Sequence, residues 1–300
     1  MKHIPDGMHV MRSALVAMVA CGLHLCRTSA SATEFRRLTS ELSPDTYPTW
    51  SPDGQSIAYA SQQDIWVIAR TGGTPTNLTR SVIFDGEPDW SPDGATIVIT
   101  SYGGVQGLWT IPATGGVRDL LPNGCGGRPG RWAHWSPDGT RIAFASGDFG
   151  SRAICIMDIA GTNSEELTEP GHNGYPTWSP DGAWIAYSTS VPGDIWASSA
   201  DGVSRVQITS DPSHDWEPDW SPDGRYLVFT SERSGNWDLW VIPAIGGEAL
   251  QITTDRGSDY DPVWSPDGGE IAFVSDRSGN ADIWTLPTSH WQSMGRHGVV

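Results

Sequence analysis

The chain has 300 residues and a formal net charge of −17, with 38% hydrophobic and 10% aromatic residues. That composition is globular, and the acidic balance excludes nucleic acid and anionic membrane as partners, because phosphate contacts need a basic stripe. The glycines and prolines fall at turns rather than in runs, and past the N-terminus no stretch has a useful helical period, which excludes low-complexity and helical architectures.

Residues 1–32 stand apart. Lys2 and Arg12 flank an apolar run, Ala14 to Ala20, that continues through Leu25, and Ala30-Ser31-Ala32 gives the small-x-small pattern read by signal peptidase. A secretory signal is expected, too short to span a membrane, with the mature chain starting at Thr33 and working in the periplasm or outside the cell. Met8 and Met11 are alternative starts, since Asp6 is unusual in a signal's leading segment, and Met18-Val19-Ala20-Cys21 leaves a lipidated start open.

From Trp50 onward the sequence repeats. Trp-Ser-Pro-Asp-Gly begins at Trp50, Trp90, Trp135, Trp178, Trp220 and Trp264, at spacings of 40, 45, 43, 42 and 44 residues. Such periods belong to four-stranded propeller blades. Ser, Pro and Gly at the first, second and fourth places of a tight type I turn make each copy a hairpin corner. A short strand with Pro two residues before Trp leads into the corner, and Pro, which cannot donate to a ladder, suits the free edge of an innermost strand. Apolar runs such as Ile57-Ala58-Tyr59 and Leu227-Val228-Phe229 follow as second strands. Asp-Ile/Leu-Trp marks third strands, and Leu/Ile-Thr ends the fourth. The fold is expected to be an all-β propeller of six blades over residues 33–289, with a tail at 290–300. Eleven of the sixteen tryptophans occupy two repeat positions and are expected to pack between blades.

The sixth repeat has no Leu-Thr after Trp284, whereas Arg36-Arg37-Leu38-Thr39 matches that ending, so the N-terminal strand is expected to close the last blade. Once the signal is removed Cys125 and Cys155 remain; an exported chain permits a disulfide between them, which their different positions in the third repeat leave open.

Counting back from each corner Trp with the period of a strand, positions one, three and five share a face. The fifth holds Asp45, Asp85, Gly130, Asn173, Asp215 and Asp259, and the third holds Tyr47, Glu87, Trp132, Tyr175, Glu217 and Asp261. Both sets are expected to ring the mouth of the central channel, on the face opposite the corners. Three readings stay open: the acids cap their own loops, they bind a hard cation through oxygen ligands, or they dock a protein or peptide carrying basic or amide groups. Loops of the same face bring Arg128, Arg131 and Trp132, and then His172, His214 and Trp216. The expected partner-binding set is Asp45, Tyr47, Asp85, Glu87, Arg131, Trp132, Asn173, Tyr175, Asp215, Trp216, Glu217, Asp259 and Asp261. No Gly-x-Ser-x-Gly, His-Glu-x-x-His or Cys-x-x-Cys occurs, so no catalysis is expected. No cofactor is expected either, calcium at the mouth being the one ion the carboxylates would suit.

The repeat unit is fullest at Ser231-Glu232-Arg233-Ser234-Gly235-Asn236-Trp237-Asp238 and Ser275-Asp276-Arg277-Ser278-Gly279-Asn280-Ala281-Asp282. With Asp-x-x-Pro-x-Trp-Ser-Pro-Asp-Gly it resembles the TolB-type, WD-like propeller repeat, and it also looks like the propellers of prolyl oligopeptidase relatives and of the tricorn protease. The resemblance covers the six repeats, without the α/β domain that precedes the propeller in TolB proteins. It implies a non-catalytic, monomeric scaffold in the periplasm that binds a cell-envelope protein, the peptidoglycan-associated lipoprotein being the family's partner. A cation-assisted small-molecule or glycan site at the same mouth is the alternative.

Overall fold

A computed structural model describes residues 35–122, 124–191, 193–289 and 291. The expected signal, the Cys21 site and the alternative starts lie outside the described residues, as does the tail except Trp291.

Six four-stranded antiparallel sheets follow one another along the chain as blades 1 to 6. Their innermost strands are Asp45–Trp50, Asp85–Trp90, Gly130–Trp135, Asn173–Trp178, Asp215–Trp220 and Asp259–Trp264. The corner motif between first and second strands is braced from within. Ser51 Oγ donates to Asp53 Oδ1 at 2.6 Å and accepts the Ser56 N–H at 2.9 Å, while Asp53 Oδ1 accepts the Gln55 N–H at 3.0 Å. The other five corners repeat this set. The motif's glycine has φ of 66 to 71° at every corner, a conformation only glycine adopts without strain. Donors from Ser136 and Thr140 hold the exposed Asp138 carboxyl down at about 2.

The fourth-strand signature also has a physical role. In blade 1, Thr79 Oγ1 accepts the Ile65 N–H at 3.0 Å and donates to Asp64 Oδ1 at 2.8 Å, so the Thr of Leu-Thr is tied to the Asp-Ile-Trp of the third strand. The N-terminal segment supplies this set to blade 6. Arg36 pairs with Thr285 and Arg37 with Trp284, and Thr39 Oγ1 accepts the Ile283 N–H at 2.9 Å. The sixth sheet therefore runs Arg36–Arg37, Asp282–Pro287, Glu270–Ser275, Asp259–Trp264, and the ring is closed as the repeat pattern requires.

The core is divided among the blade interfaces. Trp50, Ile57 and Tyr59 of blade 1, for example, pack on Ala272, Val274 and Ile283 of blade 6, and each of the other five interfaces has its own buried cluster. The repeated tryptophans belong to these clusters, as their positions predict. Cys125 and Cys155 form a disulfide with Cα atoms 6.3 Å apart. It fastens the loop that leads into blade 3 to that blade's third strand.

Candidate binding site at the channel mouth

The alternation expected along the innermost strands breaks in the same place in every blade. Pairing with the second strand shifts register after the second residue, for instance between Thr46 and Thr49. The residue at the shift has φ of 50 to 55°: Tyr47, Glu87, Trp132, Tyr175, Glu217 and Asp261. Trp132 takes this conformation ahead of Ala133, so proline is not its cause. A bulky side chain in the left-handed region costs roughly 1–2 kcal/mol, and a bulge re-aims the side chain it carries. Here all six turn toward the axis and line a cavity of about 130 Å³.

The bulge separates the two sets that strict alternation puts together. The third-position set lines the channel as expected. The fifth-position set does not reach it: Asp45, Asp85, Asn173, Asp215 and Asp259 are buried at the strand starts. Three of these hold arginines. Arg118 donates to both oxygens of Asp85 at 2.7 and 2.8 Å, and Arg233 and Arg277 hold Asp215 and Asp259 in the same two-toothed way. Asn173 donates to Arg152 O, Thr168 Oγ1 and Glu169 O. In blade 3 the place falls to Gly130, where an added Cβ would meet Phe144 at 2.8 Å and Leu108 at 2.9 Å. Asp45 alone of the set has carboxyl oxygens without a hydrogen-bond partner, and burial raises its pKa. Asp85, Asn173, Asp215 and Asp259 act as internal braces, the loop-capping reading in a stronger form.

The mouth has an acidic half and an aromatic half. Its three carboxyls latch neighbouring blades: Glu87 Oε2 accepts the Trp132 N–H at 2.9 Å, Glu217 Oε2 accepts the Asp261 N–H at 2.9 Å, and Asp261 Oδ2 accepts the Tyr47 N–H at 3.1 Å. Tyr102 also donates its hydroxyl to Glu87. Burial raises the pKa of all three, and for Asp261 the neighbouring Glu217 charge adds to it. On the other side Trp132 stacks on Tyr175 with centroids 4.3 Å apart, Tyr175 meets Trp216 edge-on at 6.4 Å, and Trp216 lies against the exposed His214 at 6.0 Å. Arg152 covers Trp132 at 4.9 Å, and Arg131 sits over Tyr102 at 5.0 Å.

One layer deeper stand Asp89, His134 and Asp219, each directly before a corner Trp and none in the expected binding set. Asp89 accepts the Trp135 N–H at 2.8 Å, Asp219 accepts the Trp264 N–H at 2.8 Å, and His134 Nδ1 accepts the Trp178 N–H at 3.4 Å. Among the described residues no group of three or more His, Cys, Asp or Glu is placed to hold a metal ion. Burial pushes the Asp219 carboxyl up to about 6 from its ordinary 3.8. A carboxyl raised in the fold contributes stability that is fully present below 3.8 and is lost as pH rises through 6. Asp219→Asn removes that loss, so between pH 4.5 and 7.5 the variant should gain about 2 kcal/mol on the parent in urea unfolding. A difference that does not change with pH would refute the assignment.

The chain belongs to the TolB beta propeller domain family, whose model matches residues 59–210 and 194–295. The model of the dipeptidyl peptidase IV N-terminal region matches residues 22–92. An uncharacterized protein of Agrobacterium fabrum, Atu1656, is 30% identical over 176 residues, 54% of this chain and 57% of that protein. The Tol-Pal system protein TolB of Alcanivorax borkumensis is 44% identical over 61 residues, 20% of this chain and 14% of that one. The chain thus spans little more than half of the first relative and a small part of the second. Among solved structures, a chain assigned as TolB from Agrobacterium tumefaciens superposes with a TM-score of 0.70 at 24% identity, over 84% of this chain and 96% of that one. An oligogalacturonate lyase in complex with manganese does so with a TM-score of 0.62 at 15% identity, over 88% and 96%. At such identities the likeness is one of fold, and the fold serves binding proteins and enzymes alike. No helix among the described residues is long and apolar enough to cross a membrane.

Proposed function

We propose that the chain is a non-catalytic scaffold of the cell envelope that docks a polypeptide at the channel mouth. The observation that carries this reading is the Trp132–Tyr175 stack that lines the cavity with the carboxyls of Glu87, Glu217 and Asp261, extended beyond the cavity by the edge contact of Tyr175 with Trp216. Aromatic anchors supply much of the energy of protein interfaces, and π faces next to carboxyl oxygens suit lysine, arginine and amide groups. The export signal expected at residues 1–32 and the family's link to a Tol-Pal protein support a periplasmic place. They also make a peptidoglycan-associated lipoprotein the first partner to try. A calcium-assisted ligand site has one point in favour, that the three carboxyls line a common cavity, yet each is already engaged with a backbone N–H.

The purified chain, titrated with that lipoprotein in a calorimeter, should bind it equally well with and without chelator. Trp132→Ala with Trp216→Ala should weaken binding at least about tenfold while leaving the unfolding transition cooperative. Binding that survives the double substitution, or that disappears with chelator, would refute the docking reading, and the latter result would favour the cation site.

A further inference from the structure

The corner face carries a second site, read from how the chain treats equivalent grooves between its own blades. Four of the corner tryptophans, Trp50, Trp178, Trp220 and Trp264, show how the space between a corner and the preceding blade is treated. Between blades 5 and 6 it is filled by Trp291, which meets Tyr226 at 5.1 Å and Trp264 at 6.2 Å, both edge-on, and is only 9% exposed. Between blades 3 and 4 Arg141 lies over Trp178 at 4.7 Å. Between blades 6 and 1 Arg70 lies over Trp50 at 5.3 Å, anchored by Asp267 and Glu270. The three corner tryptophans so covered, Trp50, Trp178 and Trp264, are buried.

Between blades 4 and 5 the groove is open, with a volume of about 480 Å³, inside the range of roughly 300–1,000 Å³ typical of ligand pockets. Its walls match those that hold Trp291, place for place in the repeat: Trp184 for Tyr226, Trp220 for Trp264, Val206 for Leu250 and Ile208 for Ile252. Ala197 stands where blade 5 has Val241, which widens the groove. Ile245 at its lip is 91% exposed and Trp220 remains partly exposed. An exposed apolar groove of this kind marks an interaction surface, and the neighbouring groove with matching walls holds a tryptophan.

We propose that the groove between blades 4 and 5 takes a tryptophan side chain presented by a partner polypeptide, in the manner that the neighbouring groove takes Trp291. It lies away from the channel mouth, so it would act together with, or independently of, docking there.

The probe is an acetylated, amidated peptide of the chain's own segment 287–293, Pro-Thr-Ser-His-Trp-Gln-Ser, with 5-fluorotryptophan at its centre and fluorine NMR as the readout. The parent chain should bind it saturably. Ile245→Asp, at a position exposed enough to leave the fold untouched, and Val206→Glu should each weaken binding about tenfold or more. Val203→Asp, which is exposed in the same blade but not in the groove, should leave it unchanged. Absence of saturable binding at millimolar peptide would overturn the proposal. So would binding that Ile245→Asp and Val206→Glu leave intact, or equal binding of a peptide with alanine in place of tryptophan. The mouth variants Trp132→Ala and Trp216→Ala should not affect this titration, which keeps the two sites separable.

Discussion

A chain lacking residues 1–43 should lose cooperative folding. The segment beyond Glu34 closes blade 6: Arg36 and Arg37 complete its sheet, Leu38 donates its N–H to Ile283 O at 2.8 Å, and Arg37 reaches the buried Asp282 at 2.8 Å. Leu38 is buried in the cluster between blades 6 and 1, and Phe35 packs edge-on against Phe273 at 6.1 Å. Asn280 fastens the following turn through Glu41 O and Ser43 O. Truncating a buried leucine alone costs about 2–5 kcal/mol. Leaving the Ile283 N–H without its acceptor and the buried Asp282 carboxylate without its arginine, with Ser278 as its remaining donor, adds about 1–3 kcal/mol each. The sum reaches the whole stability of an ordinary domain, about 5–15 kcal/mol, and the strand Asp282–Pro287 would be left as an open edge. The shorter chain should show a broad thermal transition and aggregate, whereas Thr39→Ala should cost only about 1–3 kcal/mol by removing one acceptor. An unchanged sharp transition in the truncated chain would show that the clasp is not what closes the ring.

The second large effect is expected at the strand starts. Asp215 is fully buried against Arg233, whose side chain is 15% exposed and lies over Phe229 and Trp240 at 5.2 and 4.9 Å. Breaking such a pair leaves a desolvated charge and costs about 3–5 kcal/mol, while replacing both partners with apolar residues of similar volume is often neutral. Asp215→Ala should therefore lower the urea midpoint sharply, and Asp215→Leu with Arg233→Met should recover most of the loss. Asp45 provides the contrast: it fills the same place in blade 1 without an arginine, and its pKa is raised by burial. Asp45→Asn should thus be neutral or stabilising at pH 7. Equal losses at Asp215 and Asp45 would show that the ion pair contributes nothing beyond the packing of the side chain.

These braces also show where the sequence was legible. Blade number, strand order, corners and clasp all follow from turn chemistry and a fixed period, both carried by residue type. The mouth was half legible. Tyr47, Glu87, Trp132, Tyr175, Glu217 and Asp261 were placed correctly on the channel, but Asp45, Asp85, Asn173, Asp215 and Asp259 were assigned to it by a strand period that the bulge interrupts. Nothing in bulky residues such as Tyr, Trp and Glu signals a positive φ, which elsewhere is the mark of Gly or Asn. Arg233 and Arg277 could have been matched to their aspartates through the shared Ser-x-Arg, but Arg118 reaches Asp85 from a different part of its repeat. The Asp89, His134, Asp219 layer is visible as a column one place before Trp, but residue type alone does not tell how deep in the channel that column lies. Trp291 lies beyond the last recognisable repeat element, so only three-dimensional packing reveals its groove.

Closure of the ring by the N-terminal strand also sets the order of events in folding. The bond from Arg36 to Thr285 joins residues 249 positions apart, so the chain must organise six sheets before the contact that locks them can form. Each sheet is built from local hairpins and can form early, but the entropy of closing so long a loop falls on the final step. Refolding should be rate-limited by that last docking, with the nascent chain held as an open arc of blades until its sixth hairpin is available.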